Sequence, residues 1–219
     1  MIVGCDFAGE VVELGSSVAN GLKVGDRVSG FVQGGKYPTK GSFAQYLTAK
    51  AASVMKIPDN LKDSEGASIG IAAETAVQAL FQRLELSPPT DDAKTLPKVD
   101  KNSPKLLVWS GSTAVGSYAV QLGRIAGYYV ITTASPKNHA TLQQLGAQEV
   151  YDYRDEKVPE KISNDHPDLK SALDCISENG TQSLCARSLG TSGGKICVLL
   201  KPEREAMELR NDVKIIHTL

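Results

Sequence analysis

Lys105 to Asn138 reads KLLVWSGSTAVGSYAVQLGRIAGYYVITTASPKN, and the order of patterns in it decides the fold. A short apolar run, Leu106 to Trp109, passes at once into Ser110-Gly111-Ser112-Thr113-Ala114-Val115-Gly116. An amphipathic run, Val115 to Ala126, follows, and then a β-type run, Tyr128 to Thr133. Strand, glycine-bearing turn, helix and strand within about thirty residues form a βαβ unit of dinucleotide-binding type. The chemistry of such a turn lies at the helix N-terminus, where unpaired N–H groups and the positive end of the dipole favour a pyrophosphate. Gly111 is expected to permit the tight turn, and Gly116 to let helix and strand pack closely.

The match to G-x-G-x-x-G is partial. Ser112-Thr113 replaces the middle glycine, and these hydroxyls can also donate to phosphate. The same residues read as a helix N-cap in an α/β protein without a nucleotide, with Ser112 or Thr113 capping. The strand-then-helix context favours the phosphate reading. A P-loop is excluded, because Ser117 stands where that motif needs lysine. The end of the second strand bears on cofactor choice. An NAD site expects Asp or Glu about twenty residues past the first glycine, for the ribose hydroxyl. Ile131-Thr132-Thr133-Ala134-Ser135 carries no acid, and none follows before Glu149. Ser135, Lys137 and Asn138 offer instead a hydroxyl, an ammonium and an amide, which suit a 2′-phosphate, so NADPH is expected over NADH. Ser135-Pro136 also reads as the N-cap and first residue of the next helix; the two readings are compatible.

The chain has 219 residues, 41% apolar and 22% charged, with a net charge of −1. These are the proportions of a globular protein of one large or two modest domains. The charge points to neither nucleic acid nor an anionic membrane. No apolar run approaches a membrane span and no secretory leader is visible, so a cytoplasmic location is expected. Cys5, Cys175, Cys185 and Cys197 lack C-x-x-C spacing and paired histidines, which argues against a zinc or redox site and for most of them as small buried hydrophobes.

Upstream, Ile2 to Gly15 is a long β-type run. A Gly25-Asp26 turn leads into a second strand, Gly41 to Leu47 reads as a third, and Ser53 to Ile57 as a fourth stopped by Pro58. Short strands at this spacing suggest a small barrel or sandwich, its opening strands absent. From Ser64 the period becomes helical, with Asp63 or Ser64 as cap. Glu74 to Leu86 reads as a helix with Val77, Leu80, Phe81 and Leu84 on one face. Residues 87–104 form a polar, proline-bearing loop, either mobile and functional or a plain insertion. Downstream, helices at Lys137–Leu145, Lys157–Ser163 and Gly180–Leu189 alternate with strands at Glu149–Tyr153, Ser171–Ile176 and Lys195–Leu200, and Val213–His217 closes the series. This is the pattern of a doubly wound α/β sheet, which places Ser112, Ser135, Tyr153, Ser177 and Leu200 on one rim.

Several motifs together resemble one family. The run Gly4-Cys5-Asp6-Phe7-Ala8-Gly9-Glu10-Val11, Val24-Gly25-Asp26-Arg27-Val28, Gly41-Ser42-Phe43-Ala44, Thr75-Ala76, the Gly111-to-Gly116 turn with Gln121-Leu122, and Leu145-Gly146-Ala147 followed by Asp152-Tyr153-Arg154 are similar to the medium-chain dehydrogenase/reductase superfamily. Within it the chain most resembles the zinc-independent, quinone-oxidoreductase-like branch. The Ser112-to-Val115 turn, Ser135-to-Asn138 and the loop before Lys105 resemble the fungal trans-acting enoyl reductases of polyketide pathways. Relative to that family the chain reads as truncated at both ends. The resemblance implies a partial GroES-like β-barrel domain over residues 1–72 and a Rossmann NADP-binding domain over residues 73–219. It implies no metal, since Gly4-Cys5-Asp6 replaces Gly-His-Glu, a second ligand position falls near Ile71, and the lobe of four structural cysteines is missing.

Carried over residue by residue, the resemblance assigns Gly111, Ser112, Thr113, Ala114, Val115 and Gly116 to the pyrophosphate. Ser135, Pro136, Lys137 and Asn138 would bind the 2′-phosphate, with Tyr153 closing over it, and Leu199 and Leu200 would lie by the nicotinamide. Gly70, Ala73, Glu74 and Thr75 would line a substrate pocket at the cleft between domains. From the residues alone, Tyr153 is an edge aromatic covering the sheet and Thr75 a helix-start hydroxyl. The implied activity is NADPH-dependent hydride transfer to the β-carbon of an α,β-unsaturated thioester, small or carrier-bound, in partnership with a polyketide synthase. A quinone or small-enone reductase, and a non-catalytic remnant that binds NADPH or a partner, stand as alternatives. No general acid is identified: His139, His166 and His217 occupy no position the family uses. Oligomeric state is left open.

Overall fold

The computed structural model describes residues 1–18, 21–38, 40–90 and 95–218. It divides into two compact units, Met1–Glu74 and Thr75–Leu219. Among the described residues no helix is long and apolar enough to cross a membrane.

In the first unit β1 (Asp6–Glu10), β2 (Arg27–Phe31) and β3 (Val54–Lys56) form an antiparallel sheet in the order β1-β2-β3. The long opening run condenses to five residues. Gly4 interrupts it at φ +88°, a left-handed conformation incompatible with an extended strand. The strand expected at Gly41 to Leu47 does not form. The Ser42 and Phe43 N–H groups donate to the Gly4 and Val3 carbonyls at 3.0 Å each, and the Ala44 N–H turns back to Ser42 at 2.8 Å. Alternating apolar residues make a strand only where an edge accepts them along their length; here Phe43 and Tyr46 stand exposed instead.

Helix α1 (Asp63–Val77) begins in this unit. Its start differs from the expected cap. Asp63 is the first helical residue and its carboxylate binds Arg27, at 2.9 Å to Nε. Glu65 reaches back to the Lys62 N–H at 2.8 Å, the acidic half of a capping box. Gly70 departs from helical geometry (φ −27°, ψ −120°), and the Asp6 carboxylate accepts the Ile71 N–H at 2.6 Å. A Cβ on Gly70 would lie 2.1 Å from that carboxylate oxygen, so only glycine fits the kink.

In the second unit the chain continues as a π-helical turn, Gln78–Arg83. Leu80 and Leu84 are buried, but Val77 is 40% exposed. The wider π turn breaks the 3.6-residue spacing that had placed Val77 on their face. The strands β4 (Lys105–Trp109), β5 (Tyr129–Thr133), β6 (Glu149–Tyr151), β7 (Ser171–Asp174), β8 (Gly194–Val198) and β9 (Val213–His217) form a wholly parallel sheet in the order β6-β5-β4-β7-β8-β9. Between them run α2 (Ala114–Ile125), α3 (His139–Gln144), α4 (Val158–Asp165), α5 (Thr181–Ser188) and α6 (Arg204–Leu209), the last not foreseen from the sequence. The doubly wound α/β expectation therefore holds. Strand β4 shows why its near-continuous apolar run was needed: Leu106 and Val108 pack into one core layer, and Leu107 and Trp109 into the other. Three strands end earlier than expected. β6 stops at Tyr151, β7 at Asp174 and β8 at Val198, leaving Tyr153, Leu199 and Leu200 in the loops beyond. The loop before β4 has no helix or strand among its described residues; residues 91–94 lie outside them. Its later part is held by Arg124, whose Nη1 donates to the Pro97 carbonyl at 2.8 Å, and by Val99, which packs on the second core layer.

Candidate functional site

The strand order reverses between β4 and β7, and the loops leaving the carboxyl ends of β6, β5, β4, β7 and β8 form one rim. Ligands of doubly wound sheets bind outside such a switch point. In the parallel register Thr133 pairs with Tyr151, so Ser135 and Tyr153 lie equally far beyond adjacent strand ends. Ser112, Ser177 and Leu200 continue the rim along β4, β7 and β8.

The turn from β4 to α2 is shaped by close approach. Ser110, not Gly111, carries the left-handed backbone, at φ +65°. Its N–H donates to Thr133 Oγ1 at 2.9 Å, and the Gly111 N–H to the Thr133 carbonyl at 3.1 Å. A Cβ on Gly111 would meet Thr132 Oγ1 at 2.2 Å, so glycine is required there by contact with β5 rather than by backbone conformation. A Cβ on Gly116 would lie 2.4 Å from the Ser110 carbonyl and 2.8 Å from the Gly111 Cα, so it seats the first turn of α2 on the loop. Thr113 is the N-cap: its Oγ1 accepts the Gly116 N–H at 3.0 Å and donates to the Ser110 carbonyl at 3.0 Å. Ser112 and Ala114 are exposed. Among the described residues nothing accepts the N–H groups of Ser112, Ala114 and Val115, which leaves three donors facing the rim.

Past β5, Ser135 precedes a single 3-10 turn, Pro136–Asn138, that opens α3. Ser135 makes no side-chain cap bond, so its hydroxyl is not consumed by the helix as the N-cap reading expected. Pro136 and Lys137 are exposed and Asn138 half-buried. Tyr153 is 48% exposed and lines a cleft of about 780 Å³ together with Trp109, Lys157, Lys161, Leu184 and Arg187, among others. Asp152, one residue earlier, is engaged by Arg154 at 2.7 Å, and that hydrogen bond, ahead of its other surroundings, holds its carboxyl below the usual range.

A buried polar network, not anticipated from the sequence, holds the other half of the rim. Asp174 ends β7 with no exposure, accepting the Ile176 and Ser177 N–H groups at 3.0 Å each and the Thr181 hydroxyl at 2.7 Å. Burial pushes its carboxyl up, partly offset by those donors. Ser177 and Gln182, both buried, connect this loop to the segment after β8. Leu199 is half-buried and Leu200 is 48% exposed.

In the first unit the Glu74 carboxyl is pushed up by burial and by the neighbouring Asp6 carboxylate. Ala73 is half-buried on α1, after the Gly70 kink. Thr75 begins the second unit and lies inside α1, so it is not a helix-start hydroxyl. The histidines have structural partners: His139 meets the Ala134 carbonyl at 3.1 Å, His166 the Glu149 carboxylate at 3.1 Å and His217 the Leu199 carbonyl at 3.3 Å. Cys175, Cys185 and Cys197 are buried, and burial pushes their thiols up, Cys197 to about 12, so they carry little thiolate. Among the described residues no group of three or more His, Cys, Asp or Glu could hold a metal ion.

Residues 1–59 match the alcohol dehydrogenase GroES-like domain. The chain is 38% identical over 202 residues to trans-enoyl reductase TOXD of Cochliobolus carbonum, covering 91% of this chain and 66% of that protein. It is 41% identical over 214 residues to trans-enoyl reductase caaB of Aspergillus niger, covering 94% of this chain and 57% of that protein. The chain thus spans under two thirds of the length of these relatives. Among solved structures it resembles a quinone oxidoreductase from Coxiella burnetii, with TM-score 0.76 and 28% identity over 99% of this chain and 62% of that one. It shares the fold of the CurK enoyl reductase, with TM-score 0.78 and 23% identity over 99% of this chain and 60% of that one.

Proposed function

Because the chain belongs to the medium-chain dehydrogenase/reductase superfamily, we propose that it acts as an NADPH-dependent, zinc-independent reductase, a trans-acting enoyl reductase serving a polyketide synthase. The observation that carries this reading is the β4–α2 turn. Gly111 fits closely against β5 and Gly116 against the turn itself, and the turn so seated keeps three unclaimed N–H donors for a pyrophosphate. Similarity to the trans-enoyl reductases supports the substrate class.

In this proposal Gly111 to Gly116 hold the pyrophosphate, with Ser112, Ala114 and Val115 donating. Ser135, Lys137, Asn138 and Tyr153 hold the 2′-phosphate, and no carboxylate at the end of β5 repels it. Leu199 and Leu200 give the nicotinamide an apolar wall that excludes water. Gly70, Ala73, Glu74 and Thr75 contact the substrate. When bound, NADPH supplies a hydride for the β-carbon of an α,β-unsaturated thioester, while the α-carbon gains a proton.

Fluorescence titration of the purified chain with NADPH, and with NADH as control, tests the cofactor reading. NADPH is expected to bind tightly and NADH weakly, and Lys137→Ala is expected to narrow the gap. Equal affinity for both would overturn the 2′-phosphate assignment. NADPH oxidation driven by a carrier-bound enoyl thioester but not by a free quinone supports the enoyl-reductase assignment; the reverse preference refutes it.

A further inference from the structure

The segment leaving β8 has no helix or strand of its own until α6, yet it is fixed from two sides. The Leu199 N–H donates to Ser177 Oγ at 2.7 Å, and the Leu199 carbonyl accepts from His217 at 3.3 Å. The Lys201 carbonyl accepts from Gln182 Nε2 at 3.0 Å, and the Glu203 N–H donates to Gln182 Oε1 at 2.9 Å. Gln182 has no exposure, and its Nε2 also donates to the Ser177 carbonyl at 3.0 Å. Ser177 is 2% exposed and sits at φ +63°, a conformation that side chains other than glycine rarely adopt. Asp174 holds it there, accepting the Ser177 N–H at 3.0 Å on its carboxylate and the Ser177 hydroxyl at 2.9 Å on its carbonyl.

A buried amide and a strained buried serine are poor choices for a core that only needs filling. Their hydrogen bonds converge on one short stretch, Leu199 to Glu203. We propose that Ser177 and Gln182 are positioning residues that fix Leu199 and Leu200 against the nicotinamide ring of bound NADPH. This inference rests on the cofactor reading given above and adds which residues set the position of its reactive end. The phosphate-binding end is built separately, from the loops after β4, β5 and β6. The two ends of the cofactor should therefore respond independently to substitution.

The test compares NADPH with 2′,5′-ADP, which keeps the adenine and the 2′-phosphate but lacks the nicotinamide. Gln182→Met preserves volume and removes the amide; Ser177→Gly removes the hydroxyl and tolerates the left-handed backbone. In both variants NADPH affinity is expected to fall about tenfold, equal to ~1.4 kcal/mol, while 2′,5′-ADP affinity stays within about twofold. The emission of bound NADPH should also move toward that of free NADPH. Equal loss with both nucleotides would mean a merely structural role and overturn the inference, as would unchanged NADPH affinity. Should Gln182→Met fail to fold, Ser177→Gly decides by the same criterion. If the unsubstituted chain binds neither nucleotide, the cofactor reading itself falls and this inference with it.

Discussion

The β4–α2 turn at the carboxyl rim and the amino end of the six-stranded sheet are built on opposite principles. At the carboxyl rim the β4–α2 turn leaves the N–H groups of Ser112, Ala114 and Val115 without acceptors among the described residues, with Ser112 and Ala114 exposed. At the amino end the polar groups are turned on one another. Glu149, at the start of β6, accepts the Tyr129 hydroxyl at 2.6 Å, the Tyr151 hydroxyl at 2.7 Å and a His166 ring N–H at 3.1 Å. Lys105, at the start of β4, binds Asp168 at 2.7 Å and the Lys101 carbonyl at 2.8 Å. Donors left open can receive a ligand, whereas donors already paired can only add stability. The turn keeps donors free for a ligand, whereas the amino end uses its donors within the fold.

The largest effect is expected from filling the open end. Gly116→Val places a branched side chain where a Cβ alone meets backbone atoms at 2.4 and 2.8 Å. Backbone cannot yield as a side chain can. Nucleotide binding should be abolished in titration, with a stability loss of about 1–3 kcal/mol from overpacking. Retained affinity would show that the turn is not the phosphate site.

At the closed end Glu149→Gln should reverse that outcome, lowering stability while leaving nucleotide affinity unchanged. The carboxylate accepts three donors, and an amide cannot replace it on both oxygens. A loss of roughly 2–3 kcal/mol is expected, because hydrogen bonds to charged groups contribute about 1.5–3 kcal/mol each and the amide retains some of them. Burial pushes the Glu149 carboxyl up, but the two tyrosines and His166 outweigh it and hold the group below the usual carboxylate range. Tyr129 is correspondingly pushed up to about 12, by burial and then by Glu149. With the folded value depressed, the stabilisation is present above the ordinary carboxylate value and is lost as pH falls through and below it. Melting temperatures of the parent chain and of Glu149→Gln should therefore converge in acid. Parallel curves down to acid pH would mean the clamp contributes nothing through ionisation.

The sequence made the open end readable and hid the closed one. The β4–α2 turn is local: strand, glycines, cap and helix follow one another, and Thr113, one of the two expected caps, is the N-cap. The clamp joins Tyr129, Glu149, Tyr151 and His166 from separate segments with no common spacing, so Glu149 stood out only as the first acid after β5. The Asp174–Ser177–Gln182 network is intermediate. Gln182 falls on the same helical face as Cys185, Ala186 and Leu189, all fully buried. A lone amide in an apolar stripe was a legible sign of a buried network, though not of its partners. Where tertiary context overrode pattern, the cause is specific: no edge accepts Gly41 to Leu47 along its length, and the π turn after α1 moves Val77 out of register.

The smallest effect sharpens the comparison within the closed end itself. Lys105 is nearly buried, its side chain 6% exposed, whereas the Asp168 side chain is 63% exposed. The hydrogen bond from Lys105 holds the Asp168 carboxyl below its usual range, partly offset by burial. An exposed carboxylate is screened by water and salt, and such pairs contribute about 0.2–1 kcal/mol. Asp168→Asn leaves Lys105 its bond to the Lys101 carbonyl, so a loss within that range is expected at low ionic strength. In 1 M salt, where the screening length is about 3 Å, the difference from the parent chain should disappear. The difference for Glu149→Gln should persist there, because its donors lie within the fold. Melting both variants at low and high salt separates the two contributions. A salt-insensitive loss at Asp168 would mean that the ion pair is as enclosed as the clamp, and that the whole amino end of the sheet acts as one buried network.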